Sequence, residues 1–201
     1  MKQDQPPMRA SFPQSRPDWS SKRPVSRVQP RILVRALPGQ RARGTVLAGT
    51  TQFPCALGPA GIRAAKREGD GVTPNGSFHL TQVMFRPDRI GRPRFALPVR
   101  ALQQNFGWCD DVGSPLYNKP VCRPFTPSHE ALWREDHLYD CLAVIDYNTA
   151  RIRRGRGSAI FLHIAAPGFT PTAGCVAVRS SDLAKLLARI GRRTRLLIRS
   201  S

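Results

Sequence analysis

The sequence predicts a mainly β domain with one clear C-terminal helix and long loops, and three observations carry that prediction. Nineteen prolines and sixteen glycines are too many for a helix bundle, because proline removes a backbone donor and both residues weaken helix interiors. Several short runs of β-branched, aliphatic and aromatic residues are bounded by Pro, Gly, Asn or Asp, as strands between turns are. One stretch near the C-terminus spaces its leucines at helical intervals instead. With 201 residues, 40% of them hydrophobic, the chain can build one core of ordinary size.

Residues 1–29 are rich in Pro, Ser, Gln and Arg and lack apolar periodicity, which predicts a disordered basic tail. The tail starts with a basic residue but holds no apolar segment of about 7–15 residues such as a secretory signal requires. The folded domain is expected over 30–201. Ile32-Leu33-Val34 reads as a strand, Leu37-Pro38-Gly39 as a turn and Thr45–Ala48 as a second strand. Arg63 to Gly71 is a polar loop. Thr73-Pro74-Asn75-Gly76 is a strong turn signal that leads into one alternating strand over 77–83.

From Arg86 to about Pro127 the chain is dense in Pro, Gly, Asn and Asp, which predicts a long loop that is either functional or wrapped across a surface. Residues 142–147 and 158–164 are short apolar runs of the kind that form buried strands. Ser181 and Asp182 are placed to cap a helix whose Leu183, Leu186, Leu187 and Ile190 share one face, with Gly191 at its C-terminal end. Residues 194–198 close the chain as a strand. No internal repeat is present.

Thirty-two Lys and Arg against thirteen Asp and Glu give a net charge of +19. Residues 1–43 hold +8 of it and the remaining +11 is spread over the domain, so no single basic stripe marks a nucleic-acid groove. No helix-turn-helix, zinc-finger spacing or aromatic RNA-binding signature accompanies the charge, and no specific nucleic-acid partner is expected. A basic surface suits any polyanion, cell-wall polymers included. No apolar run approaches the roughly 20 residues of a transmembrane helix.

The chemistry-bearing stretch is Phe161-Leu162-His163-Ile164, a Pro- and Gly-containing loop, and Pro171-Thr172-Ala173-Gly174-Cys175-Val176-Ala177-Val178. A strand delivers an imidazole, and a tight turn delivers a thiol twelve residues later. Gly174 permits a close backbone approach or a positive φ just before the thiol. A thiol becomes a strong nucleophile when an imidazole takes its proton, and backbone N–H groups at such a turn suit an oxyanion. Each residue also has a plainer reading. Cys175 fits a small buried hydrophobe, His163 a hydrogen-bonded strand end, and Thr172 a turn-stabilising hydroxyl.

Residues 158–178, SAIFLHIAAPGFTPTAGCVAV, resemble the signature of the YkuD-type L,D-transpeptidases, a His followed by Ser/Thr-x-Gly-Cys. Gly69 to Phe78 looks like that family's Thr-Pro-x-Gly-x-Phe element. Residues 107–111, 117–121 and 132–140 resemble its proteobacterial branch, which has this catalytic domain and little else. The resemblance spans roughly 31–199. It implies a YkuD-like β-sandwich of mixed sheets and a cysteine-dependent acyltransferase that cross-links peptidoglycan, with donor and acceptor stem peptides as partners. Cys175 would form a thioester from a tetrapeptide stem with release of D-Ala, and His163 would carry the proton. The amides of Gly174 and Cys175 would receive the oxyanion, and Thr172 would orient His163 or contact substrate. Tyr139, His137, Tyr147, Trp108 and Arg179 are the pocket candidates, and Asp110 and Asp111 are placed to attract an amine. The chain departs from the pattern at Ala177, where many members have Arg, and in its shorter His–Cys interval.

Five cysteines leave four, Cys55, Cys109, Cys122 and Cys141, available for disulfides if Cys175 is a free nucleophile. No Cys-x-x-Cys or His-x-x-x-His spacing supports a metal, and no cofactor is expected. The implied substrate points to the periplasm, although no recognisable signal peptide is present in this chain. Two rivals remain at this stage. One is a hydrolytic L,D-carboxypeptidase or amidase using the same Cys–His pair. The other is a non-catalytic basic module that binds a polyanion, with Cys175 inert.

Overall fold

The computed structural model describes Trp19 and residues 28–200. β1 (Arg31–Leu37) and β2 (Gln40–Ala48) form an antiparallel hairpin, followed by β3 (Thr51–Ala56). Short strands β4 (Ile62–Arg63) and β5 (Thr73–Pro74) pair with each other, and β6 (Gly76–Phe78), β7 (Leu80–Phe85) and β8 (Val99–Ala101) follow. Next come β9 (Phe106–Cys109), β10 (Pro120–Cys122), β11 (His129–Ala131), β12 (Cys141–Ile145), β13 (Phe161–Ile164) and β14 (Val176–Val178). The helix α1 (Ser180–Leu187) and strand β15 (Arg195–Arg199) end the fold. The fold is mainly β with one α-helix among the described residues, as expected.

Ten strands share one mixed sheet in the order β6-β15-β1-β2-β3-β14-β13-β12-β7-β8, and β10-β9-β11 form a second sheet. β6 at one end of that order and β7, next to last at the other, are separated in sequence by His79 alone. The sheet therefore rolls back on itself at this residue. Asp146 holds the bend from both sides: its carboxylate accepts from the His79 N–H at 2.8 Å, and its own N–H donates to the His79 carbonyl.

Strand alternation sorts the central side chains onto two faces. Cys141, Ala143 and Ile145 of β12, with Leu162 and Ile164 of β13, join the main core, which Leu183, Leu186 and Leu187 of α1 complete. Leu142, Val144 and Phe161 point the other way, into a second cluster with Met84, Trp108, Tyr139 and Cys175. The sheet β10-β9-β11 supplies Phe106 and Trp108 to that second cluster. Both faces of β12 and β13 are buried, so their sequences read as unbroken apolar runs. Burying each such Leu or Ile stabilises the fold by about 2 kcal/mol.

Three expectations are corrected, and one strand is added. The alternating run over 77–83 is two strands, because the chain crosses between the ends of the rolled sheet at His79. The expected loop over 86–127 contains β8, β9 and β10; its strands are three or four residues long and their side-chain alternation is too brief to register. β3 escaped notice because Pro54 sits inside it. The β14 ladder begins at Cys55, so that edge has no partner to lose at the proline. The helix starts at Ser180 after Arg179 with no side-chain cap, and stops at Leu187, ahead of Gly191. The Gly191 N–H instead donates to Thr194 Oγ1 at 2.9 Å.

Most of the predicted tail, residues 1–29, lies outside the described residues. Trp19 is buried in the main core at 8% exposure. Gln29 is tied to the domain through its N–H to Arg189 and its carbonyl to Thr194 Oγ1. All five cysteines are free: Cys55, Cys109, Cys141 and Cys175 are buried, and Cys122 is exposed. Among the described residues no helix is long and apolar enough to cross a membrane.

Candidate active site

β13 and β14 run parallel, with His163 opposite Ala177. Cys175 immediately precedes β14, so the two strands bring the imidazole and the thiol to one cavity of about 420 Å³ that both line. Tyr139, Glu130, Arg134, Thr172 and Ala177 also line it, as do Glu68 and Asp110.

The thiol is buried and held by backbone. Phe161 N–H donates to Cys175 Sγ at 3.3 Å, and the Sγ–H donates to the Ala159 carbonyl at 3.3 Å. Burial pushes the thiol up to about 12, with the Phe161 N–H and the Lys66 charge working in the opposite direction. His163 is 5% exposed. Burial lowers its pKa to about 4, so the ring is neutral at pH 7. Its Nδ1 lies 2.9 Å from the Ile164 carbonyl, a contact that requires the proton on Nδ1 and leaves the Nε2 lone pair as the acceptor. Burial thus favours the neutral thiol and the neutral imidazole. Proton transfer awaits whatever stabilises the resulting charges.

The Thr172–Cys175 turn is built from within. Thr172 Oγ1 donates to the Cys175 carbonyl at 2.8 Å and accepts from the Gly174 N–H at 3.2 Å. The structure places the hydroxyl in the turn-stabilising role and engages the Gly174 amide there. Gly174 has φ +129°, and a Cβ on it would lie 2.6 Å from the Val72 carbonyl oxygen. Conformation and space therefore both require glycine at this position.

Of the pocket candidates, Tyr139 meets the site. Its ring stands edge-on to His163 at 5.2 Å between centroids, with the Arg134 guanidinium 5.1 Å over it. Burial raises its hydroxyl pKa well above the usual value. The other four do not line the cavity. His137 is exposed and bonds Asp140 at 2.8 Å. Tyr147 packs on Phe78 and donates to the Arg156 carbonyl. Trp108 is buried against Phe161 and donates its indole N–H to Asn118 Oδ1 at 2.9 Å. Arg179 stacks over Phe169. Asp110 lines the cavity, and its Oδ1 is buried without a hydrogen-bond partner. Asp111 instead caps its own turn at Gly113 N–H.

Sequence reasoning missed the residues that hold the thiol's surroundings. Ala159, whose carbonyl accepts the Cys175 proton, has φ +51°, a conformation an alanine adopts only when its neighbours enforce it. Asn118 enforces it: its Oδ1 accepts from the Ala159 N–H at 3.1 Å as well as from Trp108. The usable signal was Asn118 in a turn-rich segment, since Asn tolerates the left-handed region in which it sits at φ +56°. Glu130 of β11 and Arg134 of the connection that follows it both line the cavity and pair at 2.9 Å.

A family model of the YkuD L,D-transpeptidase catalytic domain matches residues 32–198. No protein of curated function matches the chain. Among solved structures the chain is similar to Bd1075 of Bdellovibrio bacteriovorus, at 18% identity and a TM-score of 0.44, covering 84% of this chain and 48% of that one. The chain thus spans about half the length of that protein.

Proposed function

The chain belongs to the YkuD L,D-transpeptidase catalytic-domain family, and from that premise we propose that it cross-links peptidoglycan stems in the bacterial envelope, on the periplasmic side. The observation that carries this reading is the shared cavity of Cys175 and His163, with the His163 Nε2 lone pair unprotonated and the thiol already aligned by two backbone contacts.

The reaction follows from those positions. His163 Nε2 accepts the Cys175 proton as sulfur attacks the carbonyl of the L-centre–D-Ala bond. The carbonyl π electrons move to oxygen, facing the Cys175 N–H. Collapse breaks the C–N bond, and His163 returns its proton to the departing D-Ala amine. An amine of a neighbouring stem then attacks the thioester and yields its proton to His163. The new amide forms as the thiolate leaves and is reprotonated. Tyr139 and Arg134 wall the imidazole side of the cavity. Asp110 lines the same cavity and offers a carboxylate to an incoming ammonium.

The test is mass spectrometry of disaccharide-tetrapeptide incubated with the protein or with Cys175→Ala. Loss of D-Ala together with a cross-linked dimer, both absent with the variant, is the expected result. Tripeptide without dimer would make the enzyme an L,D-carboxypeptidase. Intact substrate with both proteins would return the lead to a basic polyanion-binding module.

A further inference from the structure

A lysine is buried against the turn that carries the nucleophile. Lys66 is 1% exposed, and its Nζ pairs with Asp70 Oδ1 at 3.0 Å. Asp70 in turn accepts from the Arg67 and Val72 N–H groups at 2.5 and 2.9 Å. Two glycines make room for the side chain. A Cβ on Gly157 would lie 2.6 Å from Lys66 Cε, and one on Gly174 would lie 3.1 Å from Nζ. The ammonium is therefore packed beside the residue that precedes Cys175, while the Val72 carbonyl, fixed by Asp70 through the Val72 N–H, closes on the same glycine.

Lysine is the most readily hydrated cation in proteins, and its flexible stem ordinarily carries the head to water. A buried ion pair is a weak way to hold a loop, since an apolar pair of the same volume does it as well or better. The charge at this place is thus better explained by what it faces than by stability. The groups around Cys175 are mostly neutral or negative: His163, Tyr139, Glu68, Asp110 and Glu130 line its cavity, and Arg134 is already paired with Glu130 and Asp136.

We propose that Lys66 is an electrostatic positioning residue for acyl transfer: with Asp70 it sets the Gly174-Cys175 turn, and its ammonium offsets the negative charge that develops on the Cys175 sulfur and on the oxyanion above the turn. The oxyanion part rests on the acyl-transfer reading; the effect on the thiol does not. Lys66 touches neither substrate nor sulfur directly and acts through the turn.

The experiment measures how fast methyl methanethiosulfonate modifies Cys175 between pH 7 and 9, read by mass on the Cys175 peptide in a Cys122→Ser background. The variant is Lys66→Met, which removes the ammonium while keeping most of the side chain's volume and the bonds of Asp70 to the Arg67 and Val72 N–H groups. Its thermal melt is recorded beside it. Below the thiol pKa the rate rises with pH, and loss of the ammonium displaces the whole line downward by about threefold for each unit of pKa gained, since the more basic thiolate is also the better nucleophile. The proposal expects that displacement with the melting temperature unchanged. Equal rates at an unchanged melt would overturn it. So would a faster reaction with a lower melt, because Lys66 would then only hold the turn shut, and so would a wild-type Cys175 that stays unmodified at pH 9. These outcomes need no stem peptide, so they separate failure of this proposal from failure of the transpeptidase reading.

Discussion

Cys141 and Cys175 are buried thiols placed by β12 and β14, which flank β13 in one sheet, and burial pushes both up in pKa. They differ in what surrounds the sulfur. Cys141 opens β12 on the main-core face, among Val83, Leu162 and the leucines of α1, and Cys55 shares that core. Cys175 lies in the second cluster with a backbone donor, a backbone acceptor, an imidazole across the cavity and an ammonium behind the turn. Burial alone therefore does not separate a nucleophile from a hydrophobe. The distinction lies in the polar groups that can take a proton and spread a charge.

The largest effect should break that comparison outright. Cys175→Ala is expected to lower turnover of a tetrapeptide stem by at least about 10⁴-fold, the scale for removing a nucleophile. Cys141→Ala is expected to keep turnover within about twofold while costing about 1 kcal/mol of stability from lost packing. Kinetics and denaturant melts of the two variants, side by side, test both halves. Equal loss of activity in the two would mean that Cys175 is not distinguished by its polar shell.

A second effect sharpens the role of His163. Its folded pKa of about 4 stands below the unfolded value of 6.5, so between those values the unfolded chain binds more protons than the folded one. Stability is then fully present above about pH 6.5 and is lost as pH falls toward 4, by on the order of 3 kcal/mol. His163→Asn should flatten this part of the profile and lower turnover by about 10²- to 10⁴-fold. Denaturant melts from pH 4 to 7 check it. Parallel profiles in wild type and variant would show that the pH sensitivity belongs to other groups.

The same comparison shows what the sequence could disclose. The main core was legible because its side chains repeat: Leu183, Leu186 and Leu187 mark a helix face, and the runs over 142–147 and 158–164 mark strands. Cys175 and His163 were legible because a short Gly-containing turn and a strand end are local features. The polar support was not. Lys66 stood in what reads as an ordinary charged loop, and its burial follows from Gly157 and Gly174, some ninety and more than a hundred residues away. Asn118 reaches Ala159 across 41 positions, and nothing in either tripeptide announces the contact. His137, by contrast, suggested itself by its neighbourhood in sequence, and its exposed ring pairs with Asp140. Periodic elements can be read locally, whereas a network closed by distant residues cannot.

The smallest effect concerns the turn itself. Thr172 Oγ1 is both donor to the Cys175 carbonyl and acceptor for the Gly174 N–H, so Thr172→Val removes two contacts without changing side-chain shape, whereas Thr172→Ser keeps both. Each lost bond to backbone is worth about 1 kcal/mol, and the turn it leaves must still hold Gly174 at φ +129° against Val72. Thr172→Val is therefore expected to lower kcat about tenfold with KM nearly unchanged, because the loss falls on placement of sulfur and the Cys175 amide and not on binding of the stem. Thr172→Ser should lie within about twofold of wild type. Were the hydroxyl instead a substrate contact, the valine variant would raise KM and spare kcat. Steady-state kinetics on the tetrapeptide separates the two, since only a turn-building hydroxyl leaves its mark on the chemical step.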